Sequence, residues 1–357
     1  MRRRDAGLVA MLLLGPGTAP AQDWLILGGV IDVEGWATDS GSRLLTRNDG
    51  QPGGLGRLTL WAGAAPSPRW QLVALVGAEA GPALRGGEAA VTLDGLWLRV
   101  RAHRLLAVQA GRILSPMGGF GPRRLSPVNP LIDRPDTYPP AYPWGGEVSG
   151  ASPRFDYRVA VVSLPVGDER YLPTPGHTPR LVAGAGVTPF IGARLGVSYT
   201  RGPYLGPDVP LPGGVDWRDF GQWVFGIDGR LSRGYADLHG EVLFSSYDVP
   251  ISGQALKGTA YYVELKYTWH PRLYTAVRLQ RNRYPFIRPR TATVWTEVVT
   301  AFNAGDVGVG VRLSRNALLK VSYQQDDWET QLDGKALAVQ VSYAFDVAEV
   351  LLRRPYR

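Results

Sequence analysis

Short segments of this chain alternate an apolar residue with a polar or charged one, and no helical run separates them. In the clearest, Tyr261, Val263, Leu265, Tyr267 and Trp269 fall on one side of an extended strand, while Tyr262, Glu264, Lys266 and Thr268 fall on the other. Successive strand side chains point to opposite faces, so each such strand has one greasy face and one wet face. The pattern recurs at Trp223, Phe225, Ile227 and Leu231 against Asp228 and Arg230, and at Leu238, Val242 and Phe244 against Asp237, His239 and Glu241. Many strands of this kind predict an all-β fold closed on itself. A soluble barrel buries the apolar face inside, whereas a membrane barrel turns it to lipid and keeps a polar, watery lumen.

The N-terminal residues favour the membrane barrel. Arg2, Arg3 and Arg4 form a basic stretch, Leu8 to Leu14 a short apolar one, and Ala19-Pro20-Ala21 a small-x-small cleavage site, so residues 1–21 are expected to be a cleaved signal for export. No window offers the roughly twenty consecutive apolar residues of a transmembrane helix. The chain has no cysteine, which excludes both a lipid-anchored cysteine and a disulfide framework. An exported fold without disulfides needs another source of stability. A closed ladder provides one, because every backbone group is paired and no edge remains.

Reading strands by alternation gives 24–37, 55–64, 69–80, 91–101, 104–113, 145–152, 154–164, 179–188, 190–201, 219–231, 234–247, 256–269, 272–284, 303–313, 317–328 and 335–345, about sixteen in all. The connections then alternate between short and long. That is the layout of a transmembrane antiparallel β-barrel with short periplasmic turns and long external loops, located in the outer membrane of a Gram-negative cell. The expected barrel covers 22–345, with a long third loop at 114–144, and leaves 346–357 as a periplasmic C-terminal tail.

The third loop is the most unusual connection. Between Leu114 and Trp144 it carries eight prolines, Arg123, Arg124, Arg134, Tyr138 and Tyr142. Long structureless segments are commonly functional, and proline lowers the entropy lost on ordering one. The run Gly111-Arg112, Ser115-Pro116-Met117-Gly118, Arg123-Arg124 and Asn129-Pro130-Leu131-Ile132 resembles the corresponding stretch of the phosphate-selective-porin-like group of sixteen-stranded outer-membrane porins. That resemblance implies a third loop folded into the lumen, with Arg123, Arg124 and Arg134 at a pore constriction. The chain lacks the lysine- and arginine-dense loop of the true phosphate-selective members. At the other end, Leu337, Val339, Val341, Tyr343 and Phe345 are similar to the aromatic-ended signal read by the barrel-assembly machinery.

By the same alternation Arg99, Arg101, Arg158, Arg194, Arg230, Lys266, Arg278 and Arg312 line the lumen with Asp237, His239, Glu241 and Glu264, and Arg57, Lys320, Asp32, Glu34 and Asp228 face it too. Cations outnumber anions, and a low-dielectric wall focuses their field, so a mild anion preference is expected. Arginines spread singly along strands make a poor nucleic-acid surface, and no nucleic-acid partner is expected. Of the four histidines only His239 points inward, flanked by Asp237 and Glu241. No Gly-x-Ser-x-Gly elbow or His-Glu-x-x-His pair accompanies it, so neither an enzyme, a metal site nor a cofactor is expected. Two functions remain. One is passive diffusion of small hydrophilic, including anionic, solutes; the other is a structural or export barrel, for example for an acidic polysaccharide. The expected partners are outer-membrane lipid and lipopolysaccharide, the barrel-assembly machinery and small solutes, in a homotrimer.

Overall fold

The computed structural model of the chain describes residues 24–39, 52–81, 89–119, 121–132, 134–135, 142–163, 177–250, 255–283, 286–291, 294–299, 301–328 and 334–346. The signal reading of 1–21 and the tail reading beyond Asp346 lie outside the described residues, as do parts of the long loops. The strands are β1 (Leu25–Thr38), β2 (Gly53–Ser67), β3 (Trp70–Ala80), β4 (Ala90–His103), β5 (Leu106–Arg112), β6 (Trp144–Ala151), β7 (Phe155–Val162), β8 (Arg180–Phe190) and β9 (Ala193–Pro203). They continue with β10 (Gly221–Arg233), β11 (Ala236–Asp248), β12 (Ala255–His270), β13 (Leu273–Arg283), β14 (Phe286–Thr291), β15 (Val294–Val299), β16 (Phe302–Arg312), β17 (Ala317–Trp328) and β18 (Gly334–Asp346).

Sixteen of these form one closed antiparallel barrel. Each strand pairs with its neighbour in the chain, β13 passes directly to β16, and β18 closes onto β1. The closing seam runs in unbroken register from Gly28 opposite Asp346 to Thr38 opposite Ala336. Strand ends match the sequence reading to within a few residues. The segment 285–302 does not remain a loop: β14 and β15 pair there as a separate two-stranded sheet. The sequence reading leaves this stretch as a connection, but its β-branched residues Val294, Thr296, Val298 and Val299 favour an extended chain.

Exposure sorts the two faces as alternation requires. On β12, Tyr261, Val263, Leu265 and Tyr267 lie exposed on the outside, while Glu264 is 0% exposed and Tyr262 is buried inside. The outer surface is an apolar band of Ile31, Val33, Leu98, Val159, Leu195, Val277, Leu279 and Val339. A water-soluble protein rarely exposes so continuous an apolar surface. At the short-turn end the band finishes in exposed Trp70, Phe155, Phe190, Tyr235 and Trp269, and Tyr267 packs edge-on against Trp269 at 4.5 Å. Aromatic side chains gather in this way where hydrocarbon meets headgroup.

Candidate pore constriction

The third loop leaves β5 at Gly111, whose φ of +131° and close approach to the backbone of Leu96 exclude any side chain. From there it turns into the barrel and follows the inner wall. Ile113 and Met117 pack with Ala160, Val162 and Val182 on β7 and β8, and Met117 also touches Val224 and Leu243 on β10 and β11. Gly118, at φ +72°, donates its N–H to Ser198 Oγ on β9 at 3.2 Å, and Gly119 N–H reaches Glu241 Oε2 on β11 at 3.2 Å. A side chain at Gly118 would overlap the Glu241 carboxylate, so glycine is needed for the loop to lie this close.

Beyond a short turn the loop meets the far wall. Arg123 pairs with Glu264 on β12, which also accepts from Arg278 Nε at 3.0 Å and Nη2 at 2.7 Å. Arg278 continues the chain of charges to Asp306 on β16 at 3.5 Å and donates to the loop's Asn129 Oδ1 at 3.1 Å. Ser126 donates to Asp32 on β1, and Tyr274 donates its hydroxyl to Pro130 O at 3.0 Å. Lys320 on β17, fully buried, donates to the carbonyls of Ser126, Asn129 and Leu131 at 3.0, 3.2 and 3.0 Å. Its three N–H groups are thus satisfied by the loop's backbone, which is what an ammonium removed from water requires. Ile132 finishes the circuit against Trp36, Leu55 and Ala338.

Consecutive arginines therefore reach opposite walls. Arg123 binds Glu264 on β12, whereas Arg124 binds Asp94 on β4 at 3.3 Å and sits over the Tyr142 ring at 4.5 Å. In the closed ring β4 and β12 are eight strands apart in either direction. The loop at this point is a bar across the lumen. Burial raises the Tyr142 hydroxyl above its ordinary titration range, partly opposed by Arg124, so the ring stays neutral beneath the guanidinium. Arg134, further along the loop, is exposed.

The wall residues fall into two groups. Arg278, Glu264 and Glu241 are buried against the loop, and His239 is buried on the same wall. Arg99, Arg101, Arg158, Arg194, Arg230, Lys266 and Arg312 lie nearer the short turns, where Asp156, Asp228 and Asp237 are the facing carboxylates. Arg194 is held by Asp156 at 2.8 Å and Asp228 at 2.7 Å, and Arg230 lies 3.4 Å from Asp237. Lys266 stands 4.7 Å from the Tyr274 ring centre. Arg99 and Arg158 flank the buried Glu147, two cations to one carboxylate. His239 Nε2 is 3.2 Å from Asp237, but Glu241 is engaged by the loop, and among the described residues no three metal-binding side chains converge.

Sequence alternation missed Asp94, Glu147, Asp306 and Tyr274 as site residues. For Asp94 the cause is a bulge: Leu75 pairs with Gly95 and Val76 with Leu93, so the extra residue reverses the parity and turns Asp94 inward beside Thr92.

The architecture is that of outer-membrane porins. The chain superposes on the outer membrane channel DcaP of Acinetobacter baumannii with a TM-score of 0.66 and 10% identity, covering 93% of this chain and 100% of that one. It superposes on an anion-selective porin from Comamonas acidovorans with a TM-score of 0.60 and 10% identity, over 90% and 99% of the two chains. Salmonella typhi OmpF, in complex with daunomycin, gives 0.61 and 9% identity, over 90% and 97%. No protein-family model matches the chain, and no curated protein does.

Proposed function

We propose that this chain is an outer-membrane diffusion channel for small hydrophilic solutes, with a preference for anions set by its wall. The observation that carries this reading is the bar formed by Arg123 and Arg124 between opposite walls, which narrows a polar lumen. The apolar outer band and aromatic girdle support residence in lipid, and the fold shared with porins supports the outer membrane. The resemblance of 111–135 to the phosphate-selective-porin-like group, and the cationic excess of Arg99, Arg101 and Arg158, support anions. A bore for a polysaccharide fits less well, because a chain would have to pass the bar.

In this reading Arg123 and Arg124 narrow the pore as paired groups, Arg134 stands outside the bar, and the unpaired wall cations supply most of the field. The test is the reversal potential of the purified protein in a planar bilayer under a salt gradient. Anions should permeate faster than cations, and replacing Arg99, Arg101 and Arg158 together by Gln should bring the ratio towards one. Absence of any conductance would refute the channel; a cation-preferring wild type would refute its selectivity.

A further inference from the structure

The short turns carry a feature that the channel does not use. Arg69 lies between β2 and β3, Arg104 between β4 and β5, and Arg154 between β6 and β7. Arg233, Arg272 and Arg315 then stand at the β10–β11, β12–β13 and β16–β17 turns. All six are exposed, and among the described residues none has an ion-pair partner. The turns themselves hold no acidic residue. The nearest carboxylates on the strands, Asp156 and Asp237, are held by Arg194 and by Ser232 with His239, and Asp346 ends β18 at the same rim. Like charges gathered on one rim repel unless an anion lies among them.

The neighbours of these arginines indicate which anion. Trp70 follows Arg69, Phe155 follows Arg154, Tyr235 stands two residues after Arg233, and Trp269 three before Arg272, all exposed at the end of the apolar band. Leu105 follows Arg104 and Leu313 precedes Arg315, again exposed. The β8–β9 turn has no arginine and instead presents Phe190 and Ile191, the latter 100% exposed. A soluble acidic partner gives no reason for a bare isoleucine at this rim. A lipid leaflet does, since aromatic and aliphatic side chains enter the acyl boundary while arginine heads extend back to the phosphate level. We propose that the short-turn rim binds anionic phospholipid headgroups, with the six arginines as a ring of phosphate contacts. The proposal rests on the membrane reading of the barrel.

The test uses the full-length protein refolded in phosphatidylcholine vesicles containing trace spin-labelled phosphatidylglycerol or spin-labelled phosphatidylcholine. The measurement is the motionally restricted fraction of each label, read by electron paramagnetic resonance. Phosphatidylglycerol should associate with the barrel roughly five-fold more strongly than phosphatidylcholine at low salt, as one cation near an anionic headgroup implies, and this excess should fall at high salt. Replacing all six arginines by Gln should abolish the excess, and a variant with only Arg69, Arg154 and Arg233 replaced should show an intermediate value. Equal restriction of both labels by the wild type overturns the proposal. So does retention of the full excess in either folded variant. Restriction of neither label would instead refute the membrane reading. If the six-fold variant kept its lipid preference but lost sedimentation with purified cell-wall sacculi, the rim would be a cell-wall contact and the proposal would be wrong.

Discussion

Replacing Glu264 by Gln isolates the fixed half of the bar. The carboxylate is 0% exposed and accepts three hydrogen bonds, two from Arg278 and one from Arg123. An amide of the same size can accept from one guanidinium, but its NH2 group then faces the donors of the other. Breaking a buried pair typically costs about 3–5 kcal/mol, because the remaining charge is left uncompensated. Two features place this case near the lower end. Arg278 keeps Asp306 at 3.5 Å and Asn129 at 3.1 Å, and the Arg123 side chain, 13% exposed, has water within reach. A loss of about 3 kcal/mol is therefore expected, measurable by urea unfolding of the barrel in lipid vesicles through its tryptophan fluorescence. The same change releases Arg123 from the wall and removes one negative charge, so single-channel conductance and anion preference should both rise. Adding Arg123→Gln should recover part of the stability, since the two residues are coupled in one network. A loss below about 1 kcal/mol, with unchanged conductance, would show that the pair does not hold the loop.

Leu265→Arg puts a charge on the lipid-facing side of β12 and should cost about 2–4 kcal/mol near the midplane, measured by the same urea titration. Lys266→Leu on the inner face should cost much less, and equal losses would mean the faces are reversed. Lys320→Met removes the ammonium from three loop carbonyls and should cost about 1–3 kcal/mol, with noisier single-channel currents as the loop loosens. A quiet, stable variant would contradict the tether. Gly308→Val places a Cβ 2.7 Å from the Leu131 side chain and 3.0 Å from the Val321 carbonyl, so it should displace the loop and change conductance while the barrel still folds to its heat-resistant form on a gel. Unchanged conductance would show that this stretch of loop does not bound the passage.

How much of this was legible in the sequence depends on the range of the interaction. Alternation is local, so Glu264 and Lys266 against Val263 and Leu265 already reveal which face is wet, and the strand ends follow from where the pattern stops. The hairpin of β14 and β15 was less legible, because Pro289 interrupts the chain there and the two strands pair only with each other, outside the barrel. Asp94 was hidden by one inserted residue, since alternation has no memory of a bulge set by the partner strand.

The pairing of charges was the least legible part, for a physical reason. Arg123 and Glu264 are 141 residues apart, and Lys320 and Ser126 are 194 apart, so nothing local marks them as neighbours. From sequence alone the loop arginines look like sources of field. In the folded barrel Arg123 and Arg124 each face a carboxylate within hydrogen-bonding distance, and a paired charge projects mainly a dipole, which decays faster with distance than a free charge. In the proposed channel these two arginines contribute position, as the bar across the lumen. The same closed ring that brings β4 opposite β12 also gathers Arg99 and Arg158 around the single carboxylate of Glu147, leaving an excess of positive charge on one side of that bar. In the proposed channel shape and field come from different residues, and mutations at Glu264 and at Arg99 should separate them.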